Sequence, residues 1–186
     1  MTKMLFREVL EWLTIIVMGL VILSLSKFAA PEQKPWLLGL AVGFCLTKTF
    51  YYVLETLWHL RRATTLDLPY HKFVLLIAYN MVEVTFSFAV DYYCLVSVEP
   101  QSLLGVDPQL QGSLLLFECF YFSVLNFSYF GYGDITPGNV FAKFVVLTEI
   151  VTAFSTVIFL LSDFISMKES IRKSNSENVK MAAPNE

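Results

Sequence analysis

Apolar residues gather into four long runs, with polar and charged positions collected between and after them: from about Val9 to Phe28, Trp36 to Trp58, Phe73 to Val98 and Val140 to Phe164. A helix rises about 1.5 Å per residue, so about 20 apolar residues cross a hydrocarbon core about 30 Å thick. Each run is therefore predicted to be a membrane-spanning helix. A fifth apolar run, Leu114 to Leu125, is too short to cross, and a glycine-rich turn comes directly after it. Non-helical backbone survives at membrane depth only where protein buries it or where it lines a wet cavity. The short run is predicted to enter the membrane and turn back, and its loop already suggests a pore.

Composition agrees with a bilayer and removes several classes of function. Hydrophobic residues make up 56% of the chain and charged ones only 16%, an excess that an ordinary soluble domain does not show. No Lys/Arg-rich block with interleaved aromatics is present, which excludes nucleic acid as a partner. Cys45, Cys94 and Cys119 all fall inside apolar stretches; an odd number at wide spacing makes neither a disulfide framework nor a zinc site. His59 and His71 flank one polar loop with no second ligand pair.

Topology follows from the same pattern. Glu8 and Glu11 around the start of the first run and Lys27 near its end fit poorly with a cleavable signal, so that helix is expected to be retained. With four crossings, Lys3, Arg7, Arg61, Arg62, Lys72, Lys168, Arg172, Lys173 and Lys180 share one side, against Lys27, Lys34 and Lys143 on the other. The richer side is the cytoplasm, which places both termini inside a cell membrane and brings the re-entrant segment in from outside. The tail after Phe164 is too short to bury a core of its own, and no internal repeat suggests the inverted halves of a transporter.

The loop carries the most specific signal. From Tyr121 to Pro137 the chain reads Tyr-Phe-Ser-Val-Leu-Asn-Phe-Ser-Tyr-Phe-Gly-Tyr-Gly-Asp-Ile-Thr-Pro. Over Tyr121 to Asp134 this resembles, without gaps, the signature of the potassium channel family, in which a pore helix with an aromatic pair ends in Thr-Val-Gly-Tyr-Gly-Asp. With its flanking helices the resemblance covers about Phe73 to Phe164. The first two spans lie outside it. Joined to the four apolar runs, it implies an all-α membrane protein of four transmembrane helices plus a re-entrant pore helix and selectivity-filter loop, in three parts: two helices and a cytoplasmic loop over 1–70, a pore module over 71–164 and a short tail over 165–186. The filter would be Tyr129, Phe130, Gly131, Tyr132, Gly133 and Asp134, supported by Tyr121, Phe122 and Ser128, with potassium as permeant ligand. The activity implied is passive conduction by a homotetramer in the lipid bilayer, with no enzymatic chemistry and no other cofactor.

The chemistry behind that spacing is a stack of carbonyls that replaces an ion's hydration shell. Successive carbonyls face one way only if backbone handedness alternates, and Gly131 and Gly133 supply positions where positive φ is cheap. One loop cannot encircle an ion, hence four copies. In the last helix Phe154, Val157 and Leu161 share a stripe at helical spacing, which either lines the inner vestibule or packs against a neighbouring helix.

The chain also departs from the family pattern. Tyr129 stands where the family has threonine, with Ser128 keeping a hydroxyl one place earlier, Phe130 replaces valine, and Ala153 holds the place of a hinge glycine. Altered conductance or selectivity is expected from Tyr129. The alternative reading is a non-conducting sensor or accessory subunit with channel-like architecture. The first three spans lack the arginine repeat of a voltage sensor.

Lys48, Glu83 and Glu149 lie near mid-depth in the second, third and last spans, where charge is costly and usually paired or functional. Lys48 and Glu83 fall at similar levels and are expected to pair, fastening the first helices to the pore module; the sharper alternative makes Glu83 or Glu149 a protonatable gate. A small transporter using this trio leaves the glycines unexplained. Asp91 and Glu55 receive no role, Glu118 is expected to complement the positive end of the pore helix, and the Asn126 sequon is expected to be inaccessible beside the filter.

Overall fold

The computed structural model describes residues 16–17, 19–24, 34–63 and 70–158. Most of the first expected span, the last span beyond 158 with Leu161, and the tail over 165–186 lie outside the described residues. Among the described residues four long helices carry the fold: α1 (Lys34–Ala63), α2 (Tyr70–Val98), α3 (Gly112–Phe127) and α4 (Val140–Ile158). Within α2 and α4, Ala78–Val98 and Val140–Ile158, 21 and 19 residues long, are apolar and long enough to cross a membrane. Helix α3 has 16 residues and reaches only about 24 Å, so the short fifth run stays short.

Helix α2 is the hub, packing against both α1 and α3. Its buried face includes Val84, Phe88, Ala89, Tyr92 and Leu95, met by Leu37, Leu38, Ala41 and Cys45 of α1 and by Leu115, Cys119 and Phe122 of α3. Small residues at these contacts let backbones approach, which is how helices associate where lipid offers no hydrophobic contrast. The helical turns at 19–24 join the same face: a Cβ on Gly19 would stand 3.0 Å from Val90, and the Cys94 thiol donates to the Gly19 carbonyl at 3.8 Å. Helix α4 buries 28% of its apolar stretch inside the chain, against 67% for α2. Its outer stripe of Val140, Phe144, Leu147, Val151, Phe154 and Ile158 is therefore left for lipid or another chain.

The connections are short and tightly tied. Pro100 ends α2 by forcing Glu99 into extended backbone (φ −140°), and one turn of 3-10 helix, Pro100–Ser102, leads into β1 (Leu103–Leu104). That strand pairs antiparallel with β2 (Thr136–Pro137), Leu103 opposite Pro137 and Leu104 opposite Thr136. Buried Ser102 knots the two ends: its hydroxyl donates to Leu95 O at 3.3 Å and accepts from Asn139 Nδ2 at 2.9 Å, and its carbonyl accepts from Gly138 N at 2.9 Å. Asn139 is also the N-cap of α4, its Oδ1 accepting from Ala142 N at 2.8 Å.

Two sequence expectations change here. Lys48 is paired, but with Asp91 rather than Glu83: Nζ donates to Asp91 Oδ2 at 2.5 Å and to Ser87 O at 3.1 Å, and lies 5.6 Å from the Phe88 ring centre. Helix α1 continues past its apolar run to Ala63 and α2 begins at Tyr70. This shifts the level partner of Lys48 to about position 85, and the long lysine stem covers the remaining distance to Asp91. Glu118 lies well inside α3, which has no acidic residue in its first turn, and the helix dipole acts only over that turn.

Because Lys48 and Asp91 are both buried, removing one partner strands a charge. Lys48→Met is expected to destabilise the detergent-solubilised protein by about 3–5 kcal/mol. The double variant Lys48→Met with Asp91→Leu is expected to recover most of that loss, read from thermal unfolding monitored by intrinsic fluorescence.

Candidate functional site

The segment singled out by the sequence begins where α3 ends, and the way that helix stops sets the path of the residues after it. Phe130 N donates to Leu125 O at 2.9 Å and Tyr129 N to Asn126 O at 3.1 Å, the paired bonds of a Schellman close with Tyr129 at the left-handed position. Glycine usually fills that place; here φ of Tyr129 is +58°, which costs a side-chain-bearing residue about 1–2 kcal/mol. Compensating contacts surround it. Tyr129 Oη donates to Ile150 O of α4 at 3.3 Å, and Ser128 Oγ donates to Val124 O at 2.7 Å.

From there the backbone alternates. Tyr129, Gly131 and Gly133 have φ of +58°, +44° and +79°, while Phe130 and Tyr132 between them stay out of the left-handed region. Their rings lie 5.2 Å apart at 41°, on the exposed side of the chain. The Tyr129 side chain turns its hydroxyl onto the last helix.

Asp134 closes the segment. Tyr121 Oη donates to Asp134 Oδ2 at 3.0 Å, and Ile135 N donates to Asp134 Oδ1 at 3.0 Å. The strap before α3 braces the same residue: a Cβ on Gly105, whose φ is +96°, would fall 1.9 Å from Asp134 O. Only glycine permits that approach. Phe122 packs edge-on against Tyr92 of α2, ring centres 4.9 Å apart, so the aromatic pair divides its work: Tyr121 ties the loop and Phe122 anchors the helix.

Behind α3 lies a polar cluster of which the sequence singled out Glu149 for its charge and Asn126 only as a sequon. Glu149 of α4 is fully buried. Tyr92 Oη donates to its Oε2 at 2.6 Å, Asn126 Nδ2 donates to Oε2 at 3.2 Å, and Ser123 Oγ meets Oε1. Ser123 Oγ also lies 2.8 Å from Thr85 O. Three helices meet on this one carboxyl, whereas Lys48 belongs to a separate pair on the α1 side of α2. Asn126 is occupied in this cluster, which agrees with the sequon being inaccessible. The grouping itself had a visible signal: Ser123 and Asn126 are polar residues one turn apart in an otherwise apolar stretch. Phe154 and Val157 lie on the exposed side of α4. Among the described residues no cluster of His, Cys, Asp and Glu is placed to hold a metal ion.

Two helices long and apolar enough to cross a membrane thus flank a short helix and a glycine loop. The sequence model of the family described as ion channel matches residues 74–169, more than half of the chain, and the chain belongs to that family. It is thus an ion channel subunit of a membrane, and the matched residues hold α3, the loop after it and α4. No curated protein and no solved structure matches the chain.

The Gly105 contact is testable. Gly105→Ala is expected to push the strap off Asp134 and to cost about 1–3 kcal/mol of stability. Gly39→Ala in α1, where nothing stands within 4 Å of the added Cβ, is expected to be neutral or stabilising by about 0.5–1 kcal/mol. Thermal shift measurements on the two variants side by side check both.

Proposed function

We propose that four copies of the chain form a potassium-conducting channel whose filter is built from Tyr129 to Asp134. The observation that carries this reading is the alternation of backbone handedness from Tyr129 to Gly133. When φ changes sign at each step, successive carbonyls turn to one side of the strand, and four such strands around an axis replace the hydration shell of a potassium ion. Asp134 adds negative charge at the outer mouth. The apolar stripe of α4 that the single chain leaves exposed supports the assembly, since neighbouring subunits and lipid are what cover such a face in a membrane.

In this reading 71–164 is the pore module, entered from outside a cell membrane, with both termini in the cytoplasm. Residues 1–70 add two further spans, and the Lys48–Asp91 pair fastens the second of them to the module. The inner vestibule is lined from Phe154, Val157 and Leu161. Conduction is passive, with potassium the permeant ligand.

Ion flux from liposomes containing the purified protein tests this. Wild type is expected to pass potassium in preference to sodium, and Gly133→Ala to abolish flux, because alanine at φ near +79° is strained by about 1 kcal/mol or more per subunit. Equal flux from both proteins removes the filter from the account. No flux from wild type, with flux from Tyr129→Thr, instead supports a non-conducting accessory subunit.

A further inference from the structure

The buried carboxyl behind α3 carries an assignment of its own, set by counting hydrogens. Ser123 has one hydroxyl proton and two oxygen neighbours, Thr85 O at 2.8 Å and Glu149 Oε1. A backbone carbonyl only accepts. If Ser123 gives its proton to Thr85 O, the contact with Glu149 is a hydrogen bond only when Glu149 is the donor. If Glu149 were a carboxylate, Ser123 would serve one acceptor and leave the other oxygen facing a lone pair, deep among α2, α3 and α4. On the far oxygen, Tyr92 Oη and Asn126 Nδ2 both donate to Oε2, so the spare proton belongs on Oε1. The chain Glu149 to Ser123 to Thr85 then satisfies every member, as buried polar groups require.

The surroundings agree. Tyr92 and Asp91 are the titratable groups that α2 brings near, and Asp91 is engaged with Lys48 of α1. Helix α3 presents Ser123 and Asn126, with the Cys119 thiol one turn earlier and buried. Among the described residues no lysine, arginine or histidine contacts Glu149, so no cation offsets a carboxylate there, and an uncompensated buried charge is the most costly arrangement of all.

We propose that Glu149 works as a neutral carboxylic acid, a positioning residue that holds α3 and the start of the filter in place by donating its proton to Ser123. This role rests on the reading of Tyr129 to Asp134 as a filter. The link to the filter is short: Asn126, held by Glu149 through its side chain, accepts from Tyr129 N through its carbonyl, and Tyr129 is the first left-handed residue of the alternating run.

Glutamine discriminates, since its amide N–H donates to Ser123 and its carbonyl accepts from Tyr92 and Asn126, reproducing the neutral acid. In the liposome assay at neutral pH, Glu149→Gln is expected to keep potassium flux within about twofold of wild type, whereas Glu149→Ala and Ser123→Ala fall by about tenfold or more. The infrared spectrum of reconstituted wild type should contain a protonated-carboxyl band that Glu149→Gln lacks. Loss of assembly or flux in Glu149→Gln, or a carboxylate band in place of the protonated one, overturns the proposal. Failure of the filter reading is distinguishable, because it appears in wild type and Gly133→Ala while the infrared result stands by itself.

Discussion

Five consecutive positions of alternating backbone handedness, Tyr129 to Gly133, are the constraint around which the rest of the structure is arranged. No regular element holds such a path, because hydrogen bonds between neighbouring residues are lost when each peptide turns against the last. The chain must be fixed from outside at both ends. At the near end α3 stops in a Schellman close that places Tyr129 in the left-handed region. At the far end Asp134 is held by Tyr121 and by the close approach of Gly105. The β1–β2 pair and the Ser102 knot then fix the strap to the same ends of α2 and α4.

The polar groups buried among the helices serve that end. Bonds between helices in an apolar setting are few and specific, since each buried polar atom must find its partner. Glu149 gathers α2, α3 and α4 on one carboxyl, and Lys48 with Asp91 ties α1 to the opposite side of α2. Asp91 and Tyr92, adjacent in sequence, thus serve two different interfaces. The two polar groups are separate in space, one among α2, α3 and α4 and the other between α1 and α2, and each adds to apolar packing at its interface.

Much of this was legible in the sequence, and the boundary of legibility has physical causes. Among the described residues α1, α2 and α4 appear where long apolar runs announce them, because hydropathy over twenty residues leaves few alternatives. The loop announced itself through Gly131 and Gly133, whose freedom in φ is a property of the residue. The partner of Lys48 was misplaced because depth along a helix is counted from its true ends, and α1 continues past its apolar run into polar sequence. Tyr129 read as a departure from a pattern, and only the geometry shows a tyrosine accepting a left-handed cap position with its hydroxyl on the Ile150 carbonyl. The roles of Ser102 and Gly105 depend on contacts across the chain that no local pattern encodes.

The central claim is that four copies of this segment surround an ion. It is tested most directly by crystallising the assembled protein with thallium, a potassium substitute that scatters anomalously. Anomalous peaks are expected on a four-fold axis, level with the carbonyls of Tyr129 to Tyr132. An assembly whose segments do not converge on an axis, or an axis without ion density at those carbonyls, would contradict it.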